Sequence, residues 1–189
     1  MRAAAPAAQV GALCESDCIP HCGGYRAARG APRIARLPSI VRGVLMETVE
    51  LGRRIAAPAR AAWRFVGDFG GNVLTRGYVD RVEVRGVGVG AERTYHLASH
   101  LGGGSVSERL EDLDDAQMRI RYSMPDNGPL PWTLYEGEIR VIAAGPHACM
   151  VSIRTCFLPV GEDGAVLRNL SQGNIGMYLD NLARALASQ

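Results

Sequence analysis

Lysine is absent from this 189-residue chain, so every basic residue is an arginine. That excludes a lysine Schiff base, and any cation carried into the interior must be a guanidinium that keeps its charge. No apolar run approaches the roughly 20 residues a membrane-spanning helix needs. The N-terminus lacks the apolar stretch of about 7–15 residues that a secretory signal requires. Excess charge is also missing. The net value of +2 hides six arginines against Glu15 and Asp17 in residues 1–45, and fifteen arginines against seventeen acids in residues 46–189. The longer, mildly acidic part is a poor match for nucleic acid.

What remains is ordinary for a globular domain, with 47% hydrophobic and 21% charged residues. The length suits one domain plus an appendage. Residues 1–45 are rich in Ala, Arg, Pro and Gly and show neither helical nor strand periodicity. They read as a disordered extension, with Met46 the natural start of the folded part; an Arg-rich transit peptide is the other reading. Cys14, Cys18 and Cys22, with His21, recur at a spacing that would line one helix face and suit a metal. Pro20 and Gly23-Gly24 oppose that helix, which leaves incidental cysteines as the simpler reading. Cys149 and Cys156 fall on one predicted strand as small hydrophobes. This cysteine usage points to a reducing, cytoplasmic setting.

From residue 46 the pattern becomes regular. Val49, Leu51 and Ile55 make a strand that ends at Ala57-Pro58, and Pro58 opens a short helix through Trp63 and Val66. Strands are expected over 79–87, 93–97, 104–113, 117–124, 132–143 and 148–158. Turn chemistry separates them at Gly86–Gly90, Gly102-Gly103-Gly104, Asp114-Asp115, Pro125–Gly128 and Gly145-Pro146. The glycines of 86–90 lie between two strands, so they are not a dinucleotide loop. A helix over 165–187 is expected to present Leu167, Leu170, Asn174, Tyr178, Leu182 and Ala185 on one face. Gly173 and Gly176 inside it suggest close backbone approach or room for a ligand. The order gives an α+β domain in which an antiparallel sheet curls around a long C-terminal helix, with short helices after the first strand. Such an architecture leaves an apolar cavity between sheet and helix.

Ile55-Ala-Ala-Pro58 and Trp63-Arg-Phe-Val66 resemble the opening of the SRPBCC (START-like) superfamily, and within it the bacterial polyketide cyclase/dehydrase and lipid-transport group. Val89-Gly-Ala-Glu-Arg93 through Ser107-Glu-Arg-Leu110 to Leu113-Asp-Asp115 resembles the plant abscisic-acid receptors without a gap. The resemblance covers residues 47–187 and implies the helix-grip fold, with two short helices after the first strand. It implies a buried cation at Arg76 meeting a ligand carboxylate, a polar-network glutamate at Glu108, and aromatic or polar pocket positions at Tyr122, Tyr135 and Tyr178. Tyr95 and Leu97, which share parity with Arg93, resemble wall positions. Leu101, Trp132 and Asn174 complete the expected ligand-binding set. The receptors' gate reads Ser99-His100-Leu101-Gly102-Gly103 here and their latch reads Leu130-Pro131-Trp132, which argues against abscisic-acid sensing and against docking to the receptors' phosphatase partner.

Residue types define what such a pocket does. Arg76 would hold a carboxylate, enolate or phenolate oxygen. Glu108, if desolvated, would shuttle a proton; if paired with Arg76, it would orient a bound molecule instead. Tyr135 and Tyr122 would donate to a carbonyl oxygen. His96 should face away from the pocket, His100 lies at the gate and His147 in a turn. No histidine, cysteine or aspartate cluster has metal-ligand spacing, no serine sits in a nucleophile elbow, and no cofactor is expected. Two functions stand: a binding or carrier protein for a small apolar, aromatic or polyketide-like molecule, and a cyclase/dehydratase-type enzyme with Glu108 and Tyr135 as catalytic groups. A ligand-gated interaction surface at Gly102–Gly104 is a third.

Overall fold

The computed structural model describes residues 46–188; residues 1–45, with Cys14, Cys18, Cys22 and His21, lie outside the described residues. Seven strands form one antiparallel sheet: β1 (Glu47–Ile55), β2 (Val79–Arg85), β3 (Glu92–Leu97), β4 (Ser105–Asp114), β5 (Arg119–Asp126), β6 (Trp132–Ala143) and β7 (Cys149–Pro159). Their spatial order is β1-β7-β6-β5-β4-β3-β2. The chain therefore runs as a meander from β2 to β7, and β1 pairs with the last strand. Helix α1 (Ala59–Val66) and a single 3-10 turn at Val73–Thr75 follow β1, and helix α2 (Gly164–Ala187) closes the domain. One of the two expected short helices is thus only a turn.

Alternation decides which side chains face in, because successive residues of a strand point to opposite faces. Val49 and Ile55 of β1, Leu110 of β4, Ile120 of β5, Ile139 and Val141 of β6, and Val151, Ile153 and Phe157 of β7 are buried on the same face. Bulges interrupt the ladder between β2 and β3, between β4 and β5, and in β6. Each adds local twist, which helps a sheet of this width curl. α1 buries Ala59, Ala62, Trp63 and Val66, at intervals of three and four. Its Trp63 indole donates to Asp115 Oδ1 at 2.6 Å, fastening the helix to the β4–β5 turn.

α2 starts at Asp163, whose carboxylate accepts from the Ala165 amide at 2.6 Å, a standard N-cap. Its buried face consists of Leu167, Ser171, Ile175, Leu179, Asn181 and Leu182. This corrects the expected face: Leu170 is 42% exposed, and Asn174 and Tyr178 are half-buried at the margin. Two buried positions are polar and have specific partners, so apolarity alone does not mark the face. Ser171 Oγ lies 3.2 Å from Thr155 Oγ1, while Asn181 Nδ2 donates to the carbonyls of Leu74 (2.9 Å) and Arg76 (3.0 Å). A methyl group added at Gly173 or Gly176 would meet no neighbour within 4 Å, so close approach does not explain these glycines.

Candidate functional site

The interior charge lies at the β3–β4 pairing, where Arg93 and Glu108 stand directly opposite each other in register. Both residues are buried, at 8% and 6% exposure. Arg93 Nε donates to Glu108 Oε2 at 2.7 Å and a terminal nitrogen reaches the same oxygen at 2.6 Å. Another Arg93 nitrogen donates to the Phe69 carbonyl at 2.9 Å. The guanidinium lies over the rings of Phe69, Tyr95 and Tyr122, with its carbon 4.2, 4.8 and 5.8 Å from their centroids. Burial is the largest single influence and works against its charge, but Glu108, Tyr95 and Tyr178 together outweigh it, and the Arg93 pKa is shifted upward. The group is a permanent cation enclosed by ring faces, an arrangement that offsets part of the loss of water.

Aromatic rings continue from this pair toward the other side of the sheet. Tyr122 and Tyr135 have centroids 6.4 Å apart, Tyr135 and Trp132 are stacked at 5.5 Å, and Phe157 packs on Trp132 at 5.2 Å and on Tyr135 at 6.0 Å. Trp132 and Tyr135 are three residues apart, so strict alternation would place them on opposite faces. A bulge resolves this: Leu134 adopts a positive φ of 48°, is exposed, and sits where the β6–β7 register shifts between Thr133 and Glu136. Gly137, opposite Tyr122 in register, leaves the space that the Tyr122 ring fills, since a Cβ there would overlap Cζ.

Thr155 Oγ1 and Ser171 Oγ, 3.2 Å apart, join β7 to α2. Burial raises the pKa of Tyr78, Tyr95, Tyr122, Tyr135 and Tyr178 well above the ordinary phenol value. Glu108 adds to the rise at each of them. All five are neutral O–H groups at physiological pH, able to donate and accept hydrogen bonds but not to act as phenolate bases.

The loops at the mouth of this region touch. A Cβ at Gly128, in the β5–β6 loop, would overlap the Ser105 carbonyl, and one at Gly104 would come within 3.1 Å of Pro129. Both glycines have positive φ, so the 127–131 loop lies against Gly104 and the start of β4 at two positions where a side chain is poorly tolerated.

The structure therefore brings together Tyr95, Glu108, Tyr122, Trp132, Tyr135 and the phenol of Tyr178, with Leu97 half-buried beside them. It does not bring Arg76 or Leu101. Arg76 follows the 3-10 turn with its side chain exposed and borders a solvent-open depression of about 190 Å³ with Val73, Asn181, Arg184, Ala185 and Ser188. Leu101 is 57% exposed at the glycine-rich loop, and Asn174 stays at the helix margin. Arg93, Phe69, Tyr78, Thr155 and Ser171 complete the cluster without having been singled out. The pointer to Arg93 was its parity with Tyr95 and Leu97. His96 faces outward as expected, toward Arg81 and Glu83. Buried apolar side chains of the sheet, α1 and α2 form one core cluster.

The profile of the family described as polyketide cyclase/dehydrase and lipid transport matches residues 46–187. The chain belongs to that family. As a member of the SRPBCC superfamily it shares its fold with several solved structures. The protein XoxI from Bacillus cereus superposes with a TM-score of 0.66 at 23% identity, covering 74% of this chain and 95% of that one. The Zhui aromatase/cyclase from Streptomyces sp. R1128 gives 0.67 at 19%, covering 76% and 94%. Norcoclaurine synthase from Thalictrum flavum, solved with dopamine and hydroxybenzaldehyde, gives 0.63 at 18%, covering 85% and 98%. None of the curated proteins matches this family member in sequence. No helix among its described residues is long and apolar enough to cross a membrane.

Proposed function

We propose that the protein binds a small apolar, aromatic molecule between its sheet and α2, as a carrier or binding protein, with an oxygen of that molecule held at Arg93. The observation that carries this reading is the buried Arg93–Glu108 pair within a set of neutral phenols. Ion pairs in an apolar interior contribute little to stability, and hydrophobic replacements of the same volume often serve the fold as well or better. Apolar walls with a few convergent polar groups are the usual make-up of a small-molecule site. Access would come by parting the Gly102–Gly104 and 127–131 loops, where Gly128 backs onto the Ser105 carbonyl and Gly104 onto the Pro129 ring. Motion of this kind is common where a loop covers a site.

Binding is favoured over turnover because Glu108, the proton-transfer candidate, is already engaged by Arg93 through Oε2. The second reading, a cyclase/dehydratase-type enzyme, is supported by a different feature. Arg93 and the Tyr135 and Tyr122 phenols are a cation and neutral donors suited to a developing enolate oxygen, and Glu108 Oε1 lies outside the guanidinium contacts.

Titration with 2-naphthoate and with 2-methylnaphthalene tests the binding reading. Wild-type protein should take up both and prefer the carboxylate. Replacing Arg93 by Met together with Glu108 by Leu should remove the preference; an unchanged preference would rule Arg93 out. Glu108→Gln separates the two readings, since an enzyme would lose turnover on its substrate while a carrier has none to lose.

A further inference from the structure

We propose that the indole N–H of Trp132 is a second anchoring group, which donates to a carbonyl-type oxygen at the end of the ligand remote from Arg93. The inference rests on the ligand-binding reading above and extends it, because it assigns the ligand an acceptor oxygen at each end. Trp132 is 4% exposed, with Tyr135 and Phe157 against its ring at 5.5 and 5.2 Å. Its Nε1 is buried and has no hydrogen-bond partner. The other tryptophan provides a contrast, for Trp63 donates to Asp115 at 2.6 Å. An indole N–H is a donor only. Leaving one dry and unpaired costs about 1–3 kcal/mol, and buried polar groups in native proteins are paired with few exceptions.

The location of this donor adds a second argument. Among the described residues, the buried side-chain atoms without a partner are Trp132 Nε1 and Asn127 Oδ1, which bracket the loop between β5 and β6. That loop meets the glycine-rich loop at Gly104 and Gly128, so the unpaired groups flank the same closure through which a ligand would pass. Backbone geometry holds Trp132 there. The Leu134 bulge turns it inward beside Tyr135, although a non-glycine residue at positive φ is disfavoured.

The hydrogen-bond inventory then defines the chemistry of the occupant. Two nearby groups, the Arg93 guanidinium and the Trp132 indole, only donate, and the neutral phenols around them both donate and accept. The one carboxylate of the set, Glu108, accepts from Arg93. A ligand that complements this interior brings acceptors. Arg93 and Trp132 sit at opposite ends of the ring series through Tyr122 and Tyr135, with successive separations of 5.8, 6.4 and 5.5 Å. The matching molecule is flat and aromatic, with one oxygen at the Arg93 end and a ketone or quinone oxygen at the Trp132 end.

The test uses the full chain carrying 15N-labelled tryptophan, titrated with 2-acetylnaphthalene and with 2-isopropylnaphthalene, which has the same outline but no acceptor. The two indole cross-peaks are assigned with Trp132→Phe. The ketone should move the Trp132 proton downfield and the hydrocarbon should not, while the Trp63 peak stays in place with both. Wild-type protein should bind the ketone about tenfold more tightly than Trp132→Phe does, one neutral hydrogen bond, whereas the hydrocarbon should bind the two proteins alike. Ketone affinity unchanged in Trp132→Phe, or a Trp132 peak that responds alike to both probes, overturns the assignment and leaves the binding site standing. If neither probe binds wild-type protein, the inference and the binding reading fall together.

Discussion

Consider the stability of three proteins: wild type, Arg93→Met, and Arg93→Met combined with Glu108→Leu. The single change leaves Glu108 as a lone carboxylate at 6% exposure. Breaking a buried pair in this way costs about 3–5 kcal/mol. Arg93 also donates to the Phe69 carbonyl, whose loss of a partner adds about 1 kcal/mol. The sum of about 4–6 kcal/mol is a large share of the roughly 5–15 kcal/mol that holds a domain together. The double variant has no stranded charge, so only the Phe69 carbonyl and some repacking remain, about 1–2 kcal/mol. Urea unfolding, with calorimetry in parallel, reads the difference. At about 2–4 °C per kcal/mol for a domain of this size, the single variant should melt roughly 10–20 °C lower and the double variant only a few degrees lower. A double variant as unstable as the single one would show that the pair holds the fold in its own right.

Other outcomes follow from the same geometry. Gly137→Ala should cost about 1–3 kcal/mol by overpacking and should also weaken aromatic ligand binding, because its methyl group displaces the Tyr122 ring; melting temperature and probe titration read the two effects. Asn181→Ala removes both hydrogen bonds to the Leu74 and Arg76 carbonyls and should destabilise by about 1–3 kcal/mol, measured by urea unfolding. Raising the pH tests the phenols. Their pKa values are raised in the folded state, so the folded protein binds more protons than the unfolded one above about pH 10. Their stabilising effect is complete below that pH and is lost as pH rises, by up to about 1.4 kcal/mol per tyrosine per pH unit. Phenolate absorbance from these five should therefore appear abruptly with loss of circular dichroism, and gradual titration near pH 10 in folded protein would contradict their burial.

The fold was legible because alternation and turn residues are local signals. β6 and β7 fall within a residue of the expected bounds, and the glycines and prolines between strands mark the hairpins. The site was half legible. Tyr95, Glu108, Tyr122 and Tyr135 share one face because each sits at an inward position of its own strand, which parity reveals. The interior cation was expected at Arg76 by resemblance, whereas pairing across the β3–β4 hairpin sets Arg93 against Glu108. That register depends on how the loop from 98 to 104 folds, and sequence spacing alone leaves it open. The expected α2 face meets the covered side at Leu167 and Leu182 and departs from it at Leu170, which is exposed. The covered side also includes Ser171 and Asn181, while Val166 and Met177 are exposed, so apolar periodicity identifies only part of the stripe. The bulge at Leu134 had no sequence signal, since leucine is an unusual residue at positive φ.

A structure of the protein with bound 2-naphthoate will show whether the interior around Arg93 binds ligand. The naphthyl rings are expected between Tyr122, Tyr135 and Tyr178, the carboxylate against Arg93, and the 127–131 loop repacked to admit them. Naphthoate found instead in the surface depression between Arg76 and Arg184, with the aromatic interior packed as described, would contradict binding around Arg93.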